Sequence, residues 1–335
     1  MLIRESTNIL ICPACYSDLE LNQNEIHCAS GHHHYQIHDG IPLLFWPNEW
    51  NGSKNDVTNE VKSFYENTPF PNYDGIESAG DLIREAKKGI FARLLSEQIP
   101  EDTRVLEVGC GTGQLSNFLV ADQHQRRIIG TDMCLHSLTL ANNFRKKCRL
   151  EQVEFYQMNL FKPVFKEETF DVLICNGVLH HTNDSFLGFK SISKLVKKNG
   201  FIVLGLYNRF GRILTDIRRL IFKVSGDRLQ FLDPRLRRQD ISGLKKRTWF
   251  LDQYKNPHES KHTFGEILTW FDQTGFEFVN SVPKLNVFEK FSEHEKLFAS
   301  NNRGGWQDRL QVQTDMLFTG GSNGGFFIVI GKKVA

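Results

Sequence analysis

Apolar residues over 81–98 fall mostly three and four positions apart, at Leu82, Ile83, Ala86, Ile90, Phe91, Leu94 and Leu95, and Pro100 follows. That spacing places one apolar stripe along a helix and predicts a single amphipathic helix over 81–98. Short apolar runs at 104–108, 127–131, 153–157, 170–175 and 201–206 read as strands, with helix-length stretches between most of them. Strands alternating with helices imply a parallel sheet covered on both faces. The alternation stops over 207–260 and resumes at Thr263-Phe-Gly-Glu266, a capping box that opens a helix to Thr274, with Gly275 as its stop. Runs at 276–280 and 325–330 supply two closing strands. The expected fold is α/β, with a doubly wound, mostly parallel sheet of seven strands.

A different pattern precedes the sheet. Cys12-x2-Cys15 and Cys28-x3-His32 are two short ligand pairs, separated by enough chain for a hairpin to bring them together. Three thiolates and an imidazole make a closed tetrahedral zinc site with no open position, which is a structural rather than a catalytic metal. His32 is the least constrained of the four, and His27, His33 or His34 are its alternatives. The polar stretch 51–56, after Pro47, reads as a linker. The expected organisation is a small zinc-ribbon-like domain at 1–50 and a large domain at 60–335, with an insertion at 207–260.

Composition narrows the class. The 335 residues are 40% hydrophobic and 24% charged, which excludes wholesale disorder and a disulfide mini-scaffold. No apolar run approaches the ~20 residues of a membrane helix, and the first residues show no export signal, so a cytoplasmic protein is expected. Seven cysteines, an odd number, suit a metal site plus unpaired thiols. The net charge of +2 conceals an uneven distribution: 209–247 holds twelve Lys/Arg against four Asp, a local +8, leaving −6 elsewhere.

The strongest chemical signal is Val105-Leu-Glu-Val-Gly-Cys-Gly-Thr-Gly113, a strand carrying an acid that runs into three alternate glycines. Glycines there let the backbone approach a ligand and turn into a helix. A dinucleotide fingerprint would need its third glycine at Gln114 or Ser116, so a nicotinamide or flavin enzyme is disfavoured. Glu107, Gly109, Gly111 and Gly113 resemble the first motif of class I S-adenosylmethionine-dependent methyltransferases, and three further segments match in order. By that resemblance Asp132 accepts hydrogen bonds from the ribose hydroxyls. Asn159 and Leu160 follow the third strand, where the family usually has an aspartate facing adenine; an amide oxygen can still accept from the adenine amino group. Asn176, in the segment 170–181, ends the strand that passes beside the cofactor.

In such enzymes the activated methyl group arrives on the sulfonium, and the protein aligns a nucleophile with it and excludes water. His180 and His181 lie where a base could take a proton from a hydroxyl or amine; hydrogen bonding to the backbone behind a buried strand is the bland reading. Phe64, Tyr65, Phe70 and Tyr73 form a segment that in similar enzymes folds over the cofactor, offering aromatic faces to a sulfonium. The cysteine spacing resembles the zinc finger of bacterial rRNA guanine methyltransferases. The stretch 35–44 resembles small zinc-ribbon subunits that partner RNA and protein methyltransferases.

Three functions compete. The first is methyl transfer from S-adenosylmethionine to a small or lipid-like acceptor, with Ile213, Leu214, Ile217, Leu220 and Ile221 as the apolar face of a lid. The alternative is an rRNA or tRNA methyltransferase whose zinc ribbon and basic insertion bind RNA, with salt-dependent affinity from counterion release. The third is a binding module without catalysis, disfavoured because the glycine loop, Glu107 and Asp132 are all present. No motif specific to RNA catalysis is found, and the sequence leaves the acceptor and the oligomeric state open.

Overall fold

The computed structural model describes residues 6–22, 25–50 and 56–334, apart from the side chains of 319–323. Most of the expected linker, 51–55, lies outside the described residues. Strands β1 (Leu19–Asn22), β2 (Glu25–Cys28), β3 (His34–His38) and β4 (Ile41–Pro42) form an antiparallel N-terminal sheet in that order. Helices α1 (Thr58–Asn67), α2 (Ala79–Ala86) and α3 (Ile90–Gln98) lead into β5 (Arg104–Val108), α4 (Gln114–Asp122), β6 (Arg127–Asp132), α5 (Leu135–Lys147) and β7 (Val153–Gln157). The chain continues through β8 (Phe170–Asn176), α6 (Ser185–Ser193), β9 (Val196–Tyr207), α7 (Ile213–Ser225) and α8 (Gly243–Lys255). It closes with α9 (Phe264–Thr274), β10 (Phe276–Val282), α10 (Trp306–Asn323) and β11 (Phe326–Lys333).

The large sheet has the order β10-β11-β9-β8-β5-β6-β7, and β11 runs antiparallel to both its neighbours while the other pairings are parallel. This is the expected seven-stranded, mostly parallel sheet. Reversing β5 to β8 on one side and β5 to β6 on the other puts the strand-order switch at the carboxyl end of β5, where crevices open in such sheets. Thr263 and Glu266 form the expected capping box on α9, and Gly275 ends it in the left-handed region.

Two expectations need correction. The helix over 81–98 is two helices: Ser78 and Asp81 close a capping box on α2, and Gly89, extended at φ −85° and ψ 117°, starts α3 afresh. Glycine is the weakest helix former after proline, and it sits at the break. The insertion is also helical, and its two helices share a small core of Phe222, Phe250 and Tyr254. On α7, however, Ile213, Ile217 and Leu220, expected in the apolar face of a lid, are exposed to solvent.

The N-terminal sheet is docked against the large one. The Leu44 amide donates to the Gln157 carbonyl at 3.1 Å, and Ile11 donates to Val164 at 2.8 Å. Leu10, Leu19, Ile26 and Leu44 share one core with Phe165, Phe170 and Leu106. The edge strand β7 is thereby covered by Leu43, which pairs with Gln157 in parallel, and an open edge is avoided. Among the described residues no helix is long and apolar enough to cross a membrane.

Candidate functional site

The carboxyl ends of β5, β6, β8 and β9 open onto one cavity of about 560 Å³, a volume in the range of small-molecule sites. Its floor is the glycine loop. Gly109, Gly111 and Gly113 have φ of +69°, +53° and +71°, in the left-handed region that only glycine adopts freely. A Cβ on Gly109 would overlap Val178, and one on Gly111 would overlap the Phe70 carbonyl oxygen. Gly109 and Gly111 line the cavity, but Gly113 does not. A Cβ there would lie 2.6 Å from Ala141 and 2.8 Å from Phe155, so this glycine allows α4 to pack closely on α5 and β7.

Two acids flank the loop. Burial pushes Glu107 up to about 7, against the bonds it accepts from Ser116. Asp132, also raised by burial, accepts from the Gly111 amide at 2.9 Å and the Cys134 amide at 2.8 Å. A carboxylate offers about four lone-pair directions, so Asp132 keeps acceptor capacity for a ligand.

Asn159 and Leu160 also line the cavity. The Asn159 amide donates to the Trp46 carbonyl at 2.9 Å and to Asn48 Oδ1 at 2.8 Å, while its oxygen accepts from the Phe161 amide at 3.1 Å. Its donors therefore anchor the segment that leaves the N-terminal sheet, and one oxygen lone pair remains. Asn176 reaches the cavity from the end of β8. It stands directly above Gly205, where any Cβ would displace its side-chain oxygen.

The two histidines separate. His181 lines the cavity, and its Nδ1 lies 2.8 Å from the His258 carbonyl. A carbonyl can only accept, so the proton sits on Nδ1 and Nε2 carries the free lone pair. Burial holds its pKa below the usual histidine value, with Asp252 opposing. His180 does not line the cavity: the turn that follows β8 carries its ring into the core, with its centroid 4.1 Å from that of Tyr207 and both ring nitrogens unpaired. Burial drives its pKa well below the ordinary value. The expected base at His180 is thus a core residue.

The aromatic segment, expected to fold over the cofactor, packs on the glycine loop and faces the cavity only in part. Tyr65 and Phe70 line the cavity; Phe64 and Tyr73 do not. The Tyr73 hydroxyl donates to the Thr112 carbonyl at 2.9 Å and its ring stacks on Phe144, which clamps the segment down.

The remaining wall was not expected from the sequence. Tyr207, at the end of β9, Trp249, Asp252 and Gln253 of α8, and Phe326 complete it. Asp252 is 5% exposed; it accepts from the Tyr65 hydroxyl and the Gln253 amide, both at 2.9 Å. Gln253 also donates to the Tyr207 hydroxyl at 2.6 Å and accepts from Arg212 at 2.6 Å. Arg212, fully buried, pairs with Glu259 and stacks over the Tyr207 ring at 3.7 Å. None of the α7 residues expected to form a lid lines this cavity; α8 takes that place, presenting Trp249, Asp252 and Gln253 to it while Phe250 and Tyr254 pack on Phe222.

In the N-terminal domain Cys12, Cys15, Cys28 and His33 gather their ligand atoms within 4.8 Å of one another. The fourth member is His33, not His32. The His33 amide donates to the Cys28 sulfur at 3.2 Å, and its Nδ1 lies 3.5 Å from the same sulfur, while His32 is exposed one residue earlier in the turn. Hydroxyls of Ser17 and Ser30 hold the Cys15 thiol down to about 6. Burial opposes ionisation of Cys28, yet Ser30 and the His33 amide bring it to about 5. Thiols with such values are pre-disposed to the thiolate that a metal requires. Three sulfurs and one imidazole are the donor set of a closed tetrahedral zinc site.

Residues 99–229 match a family model described as a methyltransferase domain. An uncharacterised Synechococcus protein is 23% identical over 201 residues, covering 52% of this chain and 48% of that protein. The ubiquinone biosynthesis O-methyltransferase of Haemophilus ducreyi is 26% identical over 178 residues, covering 52% of this chain and 65% of that enzyme. The solved structure of PKMT2 from Rickettsia typhi in complex with AdoHcy aligns with a TM-score of 0.50 at 14% identity, covering 72% of this chain and 52% of that one. The matches to these curated relatives span less than two thirds of the relatives' own lengths. The chain carries a methyltransferase domain on the class I methyltransferase fold.

Proposed function

We propose that the chain transfers the methyl group of S-adenosylmethionine to a small-molecule acceptor held between the strand ends and α8. The observation that carries this is the lining of the cavity. Its ionisable side chains include the carboxylates of Glu85, Glu107, Asp132 and Asp252, and among the described residues no lysine or arginine lines it. A cavity of this character repels a phosphate backbone at the point where chemistry would occur.

The basic insertion supports the same reading. Arg212 and Arg219 pair with Glu259, Arg209 with Glu266, and Arg238 with Asp240. Arg235 lies 4.0 Å from the Trp249 ring. Much of the local +8 is thus committed to holding the insertion in place, and none of it faces the cavity.

In this reading S-adenosylmethionine lies over the glycine loop, Asp132 accepts from its ribose hydroxyls, and Leu160 with the remaining Asn159 lone pair borders the adenine. The protein aligns the acceptor with the methyl group and excludes water, and His181 Nε2 is the available proton acceptor. Cys12, Cys15, Cys28 and His33 hold a structural zinc ion that fixes the domain at 1–50 against the large domain at 60–335.

The test is to add labelled S-adenosylmethionine and purified protein to an extract of host cells lacking the gene, then to separate RNA, protein and small molecules. Label in the small-molecule fraction is expected. Label confined to RNA and lost at high salt would overturn the reading in favour of an RNA clamp.

A further inference from the structure

The acceptor end of the cavity has a specific chemistry. Asp252 is a nearly fully buried carboxylate whose two oxygens are held by the neutral donors Tyr65 and Gln253, and among the described residues no lysine or arginine forms a direct ion pair with it; the Arg212 charge reaches it only across Gln253. Leaving a carboxylate desolvated without a counter-charge is costly, and a ligand cation would supply the missing partner. Arg212, the nearest guanidinium along this network, is already bound by Glu259 and lies behind the Tyr207 ring. His181 does not supply the charge either, since burial disfavours its imidazolium form.

The surroundings favour a cation independently of Asp252. Tyr65, Trp249 and Phe326 bring aromatic rings to the cavity beside Asp252, and aromatic faces attract ammonium groups through the ring quadrupole; Tyr207, whose ring is already covered by Arg212 and His180, joins them through its hydroxyl edge. The hydrogen bonds from Arg212 through Gln253 to Tyr207 and Asp252 lock these side chains, so the site is organised before a ligand arrives.

We propose that the wall formed by Asp252, Tyr65, Tyr207 and Trp249 is an acceptor subsite for an organic amine bound as its ammonium ion. The inference rests on the methyltransferase reading and names its substrate class. The ammonium gives one proton to His181 Nε2, and the Asp252 charge favours the resulting imidazolium against the burial that disfavours it in the empty site. The freed nitrogen lone pair then forms a bond to the methyl carbon as the carbon–sulfur bond breaks. That bonding pair stays on sulfur, producing S-adenosylhomocysteine, and the methylated nitrogen carries the positive charge, still balanced by Asp252.

The test uses the full chain saturated with S-adenosylhomocysteine and two probes of the same shape: choline, and the uncharged alcohol in which carbon replaces its nitrogen. Calorimetry is expected to show choline binding at least roughly tenfold tighter than the alcohol. Asp252→Asn is expected to abolish that preference while S-adenosylhomocysteine binds as before. Equal binding of the two probes, or binding of neither, by a chain that still takes up S-adenosylhomocysteine would overturn the amine subsite and leave methyl transfer standing. Weaker S-adenosylhomocysteine binding by a folded Asp252→Asn chain would overturn it too, by assigning the carboxylate to the cofactor's own amino group. Failure of the unaltered chain to bind S-adenosylhomocysteine would remove the methyltransferase reading together with the subsite.

Discussion

The carbonyl oxygen of Phe70 occupies the space that a side chain on Gly111 would need, so the segment before α2 and the loop after β5 meet backbone to backbone. Thr112 Oγ1 donates to the Pro71 carbonyl at 2.5 Å and Gln114 to the Asn72 carbonyl at 2.7 Å, which fastens the same contact from both sides. Gly111→Ala should therefore cost about 1–3 kcal/mol of stability from strain and overlap, and weaken S-adenosylmethionine binding more than roughly tenfold. Gly177→Ala, at φ +82° with nothing within 4 Å, should cost only the backbone strain. Thermal unfolding and calorimetry on the two variants check this, and equal losses would contradict it.

Glu107 carries a pH signature. Its carboxyl is raised from 4.5 to about 7 by burial, so the folded chain binds that proton more tightly than the unfolded chain does. The sign follows: this group contributes most stability at pH below 4.5, and its contribution falls as pH rises to about 7 and then stays level. Glu107→Gln removes the ionisation penalty and should stabilise the ligand-free protein at pH 8 by up to about 3 kcal/mol, while weakening S-adenosylmethionine binding. Denaturant unfolding at pH 5 and pH 8 measures it; a Gln variant less stable than the parent at pH 8 would count against the buried acid.

The two histidines should respond differently. His181→Asn is expected to lower the methyl-transfer rate by roughly 10²-fold or more and to remove the acid limb of the rate profile, because Nε2 must be unprotonated to accept a proton. His180→Phe should leave the rate within a few-fold. Because burial depresses the His180 pKa, the unfolded chain binds more protons below pH 6.5, and stability is lost as pH falls through that region. The Phe variant should shed that part of the acid sensitivity, as unfolding curves between pH 5 and pH 7 would reveal.

For the cysteine cluster, His33→Ala should lower zinc content and unfolding temperature, whereas His32→Ala should leave both near the parent values. Zinc analysis of the two purified variants decides between neighbours, and the reverse pattern would return the fourth ligand to His32.

These contrasts show what the sequence carries and what it does not. The strands β5 to β9 and the glycine loop are legible because apolar runs and alternate glycines are local signals. The break at Gly89 is not, because the apolar spacing continues across it in register. His33 replaces His32 through the conformation of one turn, which spacing alone does not encode. Asp252 is the largest omission: it lies within a stretch read for its cations, and its place opposite Tyr65 exists only once α8 folds back over the strand ends.

The most direct test of methyl donor use is calorimetric titration of S-adenosylmethionine into the purified chain and its Asp132→Ala variant. One site per chain, with affinity reduced at least roughly tenfold in the variant, is the expected result. A folded parent chain that takes up no S-adenosylmethionine, or a variant that binds it equally well, would contradict the account.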